Sequence, residues 1–182
     1  MRVARISTKV LIISRDQANK MEMVDDGAIR LDPAPGQVGT RRSPIGVRGV
    51  EIYQFPWMRD PRGSLTVGEF GEGFPFLPKR YFIVFGVPAG AVRGEHAHKR
   101  CHQFLICAQG QCNVRIDDGA VRREVVLNNA SMGLYVPPLI WGAQLKFSAD
   151  GSLIVFASDL YDPDDYIREY TDFQAALRAA GV

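Results

Sequence analysis

From Gly49 to Ala157 the chain is a succession of short strand-like runs broken by turn signals, with no long helical period between them. The runs cover residues 50–55, 64–69, 80–86, 101–108, 111–116, 122–127, 133–136, 141–147 and 152–157, and are rich in β-branched and aromatic residues. Asp60-Pro61-Arg62-Gly63, Pro88-Ala89-Gly90, Asp117-Asp118-Gly119 and Ala149-Asp150-Gly151 separate them, and Asp118-Gly119 between alternating runs is a strong hairpin signal. Strands this short and this closely spaced leave no room for crossover helices, so they predict an all-β, antiparallel barrel or two-sheet jelly roll. Only the end reads as helix. Asp162-Pro163-Asp164-Asp165 opens one turn, and Thr171 or Asp172 is placed to cap a short C-terminal helix stopping before Gly181.

At 182 residues the chain suits one ordinary domain with a sizeable core. The pattern divides it into residues 1–48, an N-terminal extension of unknown role, and residues 49–182, the β domain. The extension carries nine Lys/Arg against five Asp/Glu and two Pro/Gly-rich stretches that read as linker; residues 3–13 could form one strand. The net charge of +2, with no basic stripe interleaved with aromatics, excludes nucleic acid as the expected partner. No stretch is long and apolar enough to span a membrane, and Val10 to Ile13 is too short for a secretory signal core. Cys101, Cys107 and Cys112 are odd in number and lack metal-type spacing, so they read as reduced thiols of a cytoplasmic protein.

The chemistry concentrates in one place. All three histidines, His96, His98 and His102, fall within seven residues. Near-neutral proton carriers gathered this tightly point to proton transfer or metal binding. The stretch reads as a β-strand continuing through Cys101 to Ala108, so His96 and His98 share a face, two residues apart. His102 reads as a core or rim histidine bonded to backbone.

The spacing Gly90-x5-His96-x-His98-x4-Gln103-x6-Gly110 resembles the first signature of the cupin superfamily, and Gly133 to Gly142 resembles the second. This resemblance implies a cupin-type antiparallel jelly-roll barrel. A metal-binding cupin has glutamate where this chain has Gln103 and a further histidine where it has Gly142. With two ligands missing, the reading is of no metal and no other cofactor.

Within the superfamily, Asp60-Pro61-Arg62-Gly63-Ser64-Leu65, Pro75-Phe76, Lys79-Arg80, Arg93 to Lys99, Gln103 to Cys107, Asp117 to Gly119, Gly133 to Pro137, Ala157 to Asp162 and Asp165 to Tyr170 resemble one family in order along the chain. That family is the sugar 3,4-ketoisomerases, named for the WxcM C-terminal domain. The resemblance implies an isomerase of deoxysugar biosynthesis. It would move the keto group of a dTDP-linked 4-keto-6-deoxy sugar between C4 and C3, by histidine-mediated proton transfer through an enediolate. Such chemistry needs a near-neutral base and an oxyanion donor. By motif position His96 is the base, His98 the partner that orients or polarises, and Tyr135 a third catalytic member. Arg62, Arg80, Arg93 and Lys99 are candidates for the pyrophosphate, with Gln103 and Trp141 lining the substrate pocket. Many relatives carry histidine at the position of Gly142, so product stereochemistry at C4 is open. The family also implies a homodimer with N-terminal strand exchange, residues 50–55 being the natural strand. The alternatives are a metal-dependent cupin oxygenase or isomerase, and a non-catalytic sugar-nucleotide-binding cupin.

Overall fold

The computed structural model describes residues 21–23, 27–33, 35–71 and 73–182. The strand predicted for residues 3–13 lies outside the described residues. Among the described residues fifteen strands follow in order: β1 (Met21–Met23), β2 (Ala28–Leu31), β3 (Arg41–Pro44), β4 (Glu51–Gln54), β5 (Trp57–Asp60), β6 (Gly63–Thr66), β7 (Arg80–Phe85), β8 (Arg93–His98), β9 (Gln103–Gln109), β10 (Cys112–Asp117), β11 (Arg122–Leu127), β12 (Met132–Val136), β13 (Trp141–Leu145), β14 (Ser152–Ala157) and β15 (Tyr166–Ile167). A 3-10 turn, Pro163–Asp165, precedes β15, and helix α1 (Tyr170–Ala180) closes the chain.

Two sheets face each other. One runs β1-β2-β11-β10-β13-β8-β15 and the other β3-β4-β12-β9-β14-β7, while β5 and β6 form a separate hairpin. Every pairing is antiparallel except β2 with β11. Consecutive strands β9 and β10 lie in different sheets, which makes this a jelly roll rather than a meander. Residues between the sheets alternate along each strand: Leu105 and Cys107, Val114 and Ile116, Val125 and Leu127, Leu134 and Val136, Leu153 and Val155 all enter one core.

The described residues between 21 and 48 are built into this body. Met21, Ile29, Leu31, Ile45 and Val47 are buried in the same core, and β3 pairs with β4. Their strands are three or four residues long, too short for the sequence to show a period.

The outer faces are covered differently. On the first sheet, α1 lays Phe173 and Leu177 over Ala97 and Ile167. Its cap differs from the expectation: Glu169 occupies the N-cap with no side-chain bond, and Thr171 and Asp172 lie inside the first turn. Gly181 ends the helix in the left-handed conformation at φ 72°. On the second sheet the outer face is aromatic. Tyr53, Phe55 and Phe104 are buried beneath Phe74 and Phe76 from the long loop after β6. Gly133 makes this possible, since a Cβ there would lie 2.1 Å from the Phe104 ring. No described helix is long and apolar enough to cross a membrane.

Candidate active site

β8 carries the reactive pair. His96 and His98 lie on its inner face, where they line one cavity with Gln103, Leu105, Ile116, Val136, Ile140, Gly142 and Gln144. The cavity itself is small, about 20 Å³, and opens to solvent. The intervening Ala97 points outward and packs with α1. The two rings meet edge-on, their centroids 5.0 Å apart.

A β-bulge aims the first ring. Gly142 pairs with His96 and Ala143 with Gly94, so Glu95 is the extra residue. Glu95 has φ 56° and Gly94 φ 84°. Gly94 has little alternative, because a Cβ there would lie 3.0 Å from the Gln144 amide and 3.1 Å from the Gly142 carbonyl. A non-glycine residue held left-handed beside a reactive side chain is strain tied to a site.

The two histidines sit in unlike surroundings. His98 is buried, with Nδ1 2.8 Å from Asp165 Oδ2 and Nε2 3.0 Å from Gln103 Nε2. An ionised carboxylate only accepts, so Nδ1 carries the proton and Nε2 accepts from the glutamine amide. Burial is the main cause that pushes the His98 pKa down to about 4, with Asp165 opposing it, so the ring is neutral at pH 7. Burial would push the Asp165 carboxyl up, but hydrogen bonds from His98 and from the backbone N–H groups of Arg100 and Cys101 hold it below its usual range. His96 is half-buried. Burial and the Arg168 guanidinium lower its pKa, and a hydrogen bond to the Gly94 carbonyl opposes them.

Tyr166 completes the group from β15. Its ring centroid lies 4.9 Å from that of His96 and 4.4 Å from that of His98, and its hydroxyl is 3.4 Å from Arg80 Nη2. Arg168 lies over the same ring at 4.5 Å. Asp165, Tyr166 and Arg168 were not singled out as site residues from sequence. Their signal was the short turn Asp162 to Asp165, which places the next residues on the open edge of β8.

Other expected residues fall elsewhere. Cys101 to Ala108 does not continue the histidine strand: β8 and β9 belong to different sheets and His102 lies in the turn between them. Its Nδ1 meets the Tyr135 hydroxyl at 2.7 Å, and the two rings stack. Because Leu134 and Val136 point into the core, Tyr135 points to the outer aromatic face, away from the cavity. Trp141 likewise faces out, against Tyr170 and Phe173 of α1, while its neighbour Gly142 faces in. Neither Tyr135 nor Trp141 lines the histidine cavity.

Of the expected cations, Arg80 reaches the histidine group through Tyr166, its Nε bonded to the Asp159 carbonyl at 3.0 Å. Arg93 and Lys99 are exposed at the two ends of β8. Arg62 sits at the tip of the β5–β6 hairpin, 90% exposed and paired with Asp60 at 2.6 Å. Gln103 is the one expected binder in direct contact with a histidine.

The donors do not suit a metal held between the two motif histidines. The glutamine amide occupies Nε2 of His98, and Gly142 offers no side chain. His98, Cys101 and Asp165 bring donor atoms within 4.8 Å of one another, but the imidazole and carboxylate already bond each other and two backbone N–H groups.

The family model described as FdtA: WxcM-like, C-terminal matches residues 48–178. The chain belongs to that family. It is 40% identical over 124 residues to the TDP-4-oxo-6-deoxy-alpha-D-glucose-3,4-oxoisomerase of Aneurinibacillus thermoaerophilus, covering 68% of this chain and 89% of that one. Among solved structures it resembles QdtA, a sugar 3,4-ketoisomerase from Thermoanaerobacterium thermosaccharolyticum in complex with TDP. That likeness has TM-score 0.71 and 33% identity over 74% of this chain and 98% of the other. A 3,4-ketoisomerase from Helicobacter canadensis gives TM-score 0.68 and 33% identity over 71% and 98%.

Proposed function

We propose that the chain is a sugar-nucleotide 3,4-ketoisomerase of deoxysugar biosynthesis, acting on a dTDP-linked 4-keto-6-deoxyhexose. The observation that carries this reading is the inner-face pair: a half-buried His96 lining the cavity, beside a His98 held neutral by partners at both nitrogens.

His96 takes the proton from C3, next to the C4 ketone, and the C–H electrons form the C3=C4 double bond of an enediolate. The negative charge gathers on O4, where polar donors at the cavity wall stabilise it. The O3 proton passes to O4, and the imidazolium of His96, whose N–H proton exchanges with solvent, delivers a proton to C4. The ketone then stands at C3, and neither oxidant nor metal enters the balance. Burial lowers the His96 pKa from its ordinary value, which favours the neutral ring that can accept a proton. Arg80, with Arg62, Arg93 and Lys99 as further candidates, provides for the pyrophosphate at the rim. Gly142 faces His96 with the nearest atom to a would-be Cβ at 3.9 Å, so the cavity is open on that side.

The assembly we place here is a homodimer. Strand β7 is a sheet edge whose outward residues Tyr81, Ile83 and Phe85 are 68%, 44% and 72% exposed. An apolar edge of this kind is normally covered. Residues 50–55, named above for strand exchange, supply β4, which has β3 and β12 of its own chain on either side. Exchange therefore has no support in the single chain, and the β7 edge is the better-founded contact. The Ile83→Lys variant should sediment as a monomer where the parent sediments as a dimer. Three buried, unpaired thiols suit a cytoplasmic location.

The deciding experiment is incubation with dTDP-4-keto-6-deoxyglucose in deuterated buffer, followed by proton NMR. A 3-keto product with solvent deuterium at C4 supports the reading. Tight binding without turnover would replace it with the sugar-nucleotide-binding role, and activity abolished by chelators would replace it with a metal-dependent one.

A further inference from the structure

We propose that Asp165 is a positioning residue for the reaction, which fixes the tautomer of His98 and through it the orientation of the Gln103 amide in the cavity. The inference rests on the ketoisomerase reading for its catalytic consequence, but not for its structural content.

The three groups form one chain of bonds. Asp165 Oδ2 accepts from His98 Nδ1 at 2.8 Å, and His98 Nε2 accepts from Gln103 Nε2 at 3.0 Å. All three side chains are buried, so each bond forms in a medium of low dielectric constant, where it is stronger than in water. The carboxylate is itself held. Its Oδ1 accepts the Arg100 N–H at 2.8 Å, Oδ2 also accepts the Cys101 N–H at 3.3 Å, and the Asp165 carbonyl accepts the Lys99 N–H at 2.9 Å. The 3-10 turn that presents it is capped by Asp162 and begins with Pro163. Asp165 is therefore a fixed acceptor, and only the Nδ1–H form of His98 fits it.

The second consequence reaches the cavity. With His98 Nε2 fixed as an acceptor, Gln103 must present its NH2 there, and its carbonyl oxygen is left as an acceptor of fixed position. An amide free to flip would offer the sugar either polarity; this one offers one. Glutamine also matters as the alternative to glutamate. A carboxylate at both ring nitrogens would demand a proton on each and make His98 an imidazolium beside the base His96. One acid and one amide keep His98 neutral.

The test is long-range 15N–1H correlation of the histidine rings in the uniformly labelled full chain at pH 7, without substrate, with steady-state kinetics beside it. In the parent, His98 should appear as the Nδ1–H tautomer alone. In Asp165→Asn the amide can turn its NH2 to Nδ1, and the spectrum should show the Nε2–H tautomer or a mixture. With the substrate above, kcat should fall more than about tenfold, as tautomer errors in other histidine sites do, with KM moving far less. Gln103→Glu keeps Asp165 and its backbone bonds, and should turn His98 into a doubly protonated ring at pH 7. The proposal is overturned if His98 stays Nδ1–H in Asp165→Asn, or if kcat holds while only the melting temperature falls. A parent without turnover would end the ketoisomerase reading, while the tautomer spectra would still decide the Asp165 linkage.

Discussion

His96 and His98 face the interior of the sandwich from one sheet, while His102 stands outside the other sheet with Tyr135. In sequence they are neighbours, and by composition alone they would be one cluster. What separates them is the turn of residues 99–102, which carries the chain from one sheet to the other. The inner pair combines ring nitrogens, cavity and charged neighbours. The outer pair has a short hydrogen bond and stacked rings among phenylalanines, which is the environment of a packed surface. Proximity in sequence identified the region, and strand geometry decided which members work together.

The largest expected difference follows directly. His96→Asn should lower kcat by about 10²–10⁴-fold, the usual range for a lost general base, whereas His102→Asn should leave kcat within about threefold. Turnover of dTDP-4-keto-6-deoxyglucose by both variants is the measurement. Equal losses would mean that the outer pair belongs to the chemistry after all.

The next contrast is in stability against pH. The folded pKa of His98 is depressed to about 4 from 6.5, so below pH 6.5 the unfolded chain takes up a proton that the folded chain refuses. The folded state should lose up to about 3 kcal/mol on going from pH 6.5 to 4, at 1.36 kcal/mol per pH unit. Asp165 acts in a lower window, since a depressed carboxylate loses its contribution only as pH falls through about 4 and below. Urea unfolding at pH 7, 5.5 and 4.5 reads the slope, and His98→Gln should flatten it between pH 6.5 and 4. His102→Gln should change it less, because that ring is part-exposed and its pKa is depressed less.

Much of this was legible before any coordinates. Alternating runs gave the sandwich, the Asp118-Gly119 turn gave the β10–β11 hairpin, and the i, i+2 rule put His96 and His98 together. The same rule, applied to Leu134-Tyr135-Val136, would have sent Tyr135 outward; the aromatic outer face disguised it, because apolar residues line both sides of that strand. Trp141 was misplaced for a related reason, since α1 buries the outer face that a two-layer picture leaves to solvent. Asp165, Tyr166 and Arg168 could not be assigned roles, because their partners lie about seventy residues away and β15 is only two residues long.

A milder pair of variants sharpens the outer half of the comparison. Tyr135→Phe removes the bond to His102 Nδ1 but keeps the ring in its stack. The cost should be about 1 kcal/mol of stability, the net worth of a typical hydrogen bond, with kcat unchanged. Chemical denaturation and turnover on one preparation check both halves. A loss of turnover without a loss of stability would return Tyr135 to the site.

The smallest effect is the most specific to the inner pair. Arg168 lies over the Tyr166 ring, and its charge is one of the causes that keep His96 below its ordinary pKa. Removing that charge in Arg168→Gln should let His96 rise toward 6.5. A base must be unprotonated to act, so a higher pKa moves the acid limb of kcat/KM to higher pH. Because Arg168 is exposed, the shift should be small, and added salt should move the parent toward the variant. The outer histidine supplies the control: Asp159, not Arg168, is the charge that acts on His102. NMR titration should therefore show His96 moving and His102 standing still. If both move together, the charge acts on the whole surface, and the inner pair has no private electrostatic neighbour.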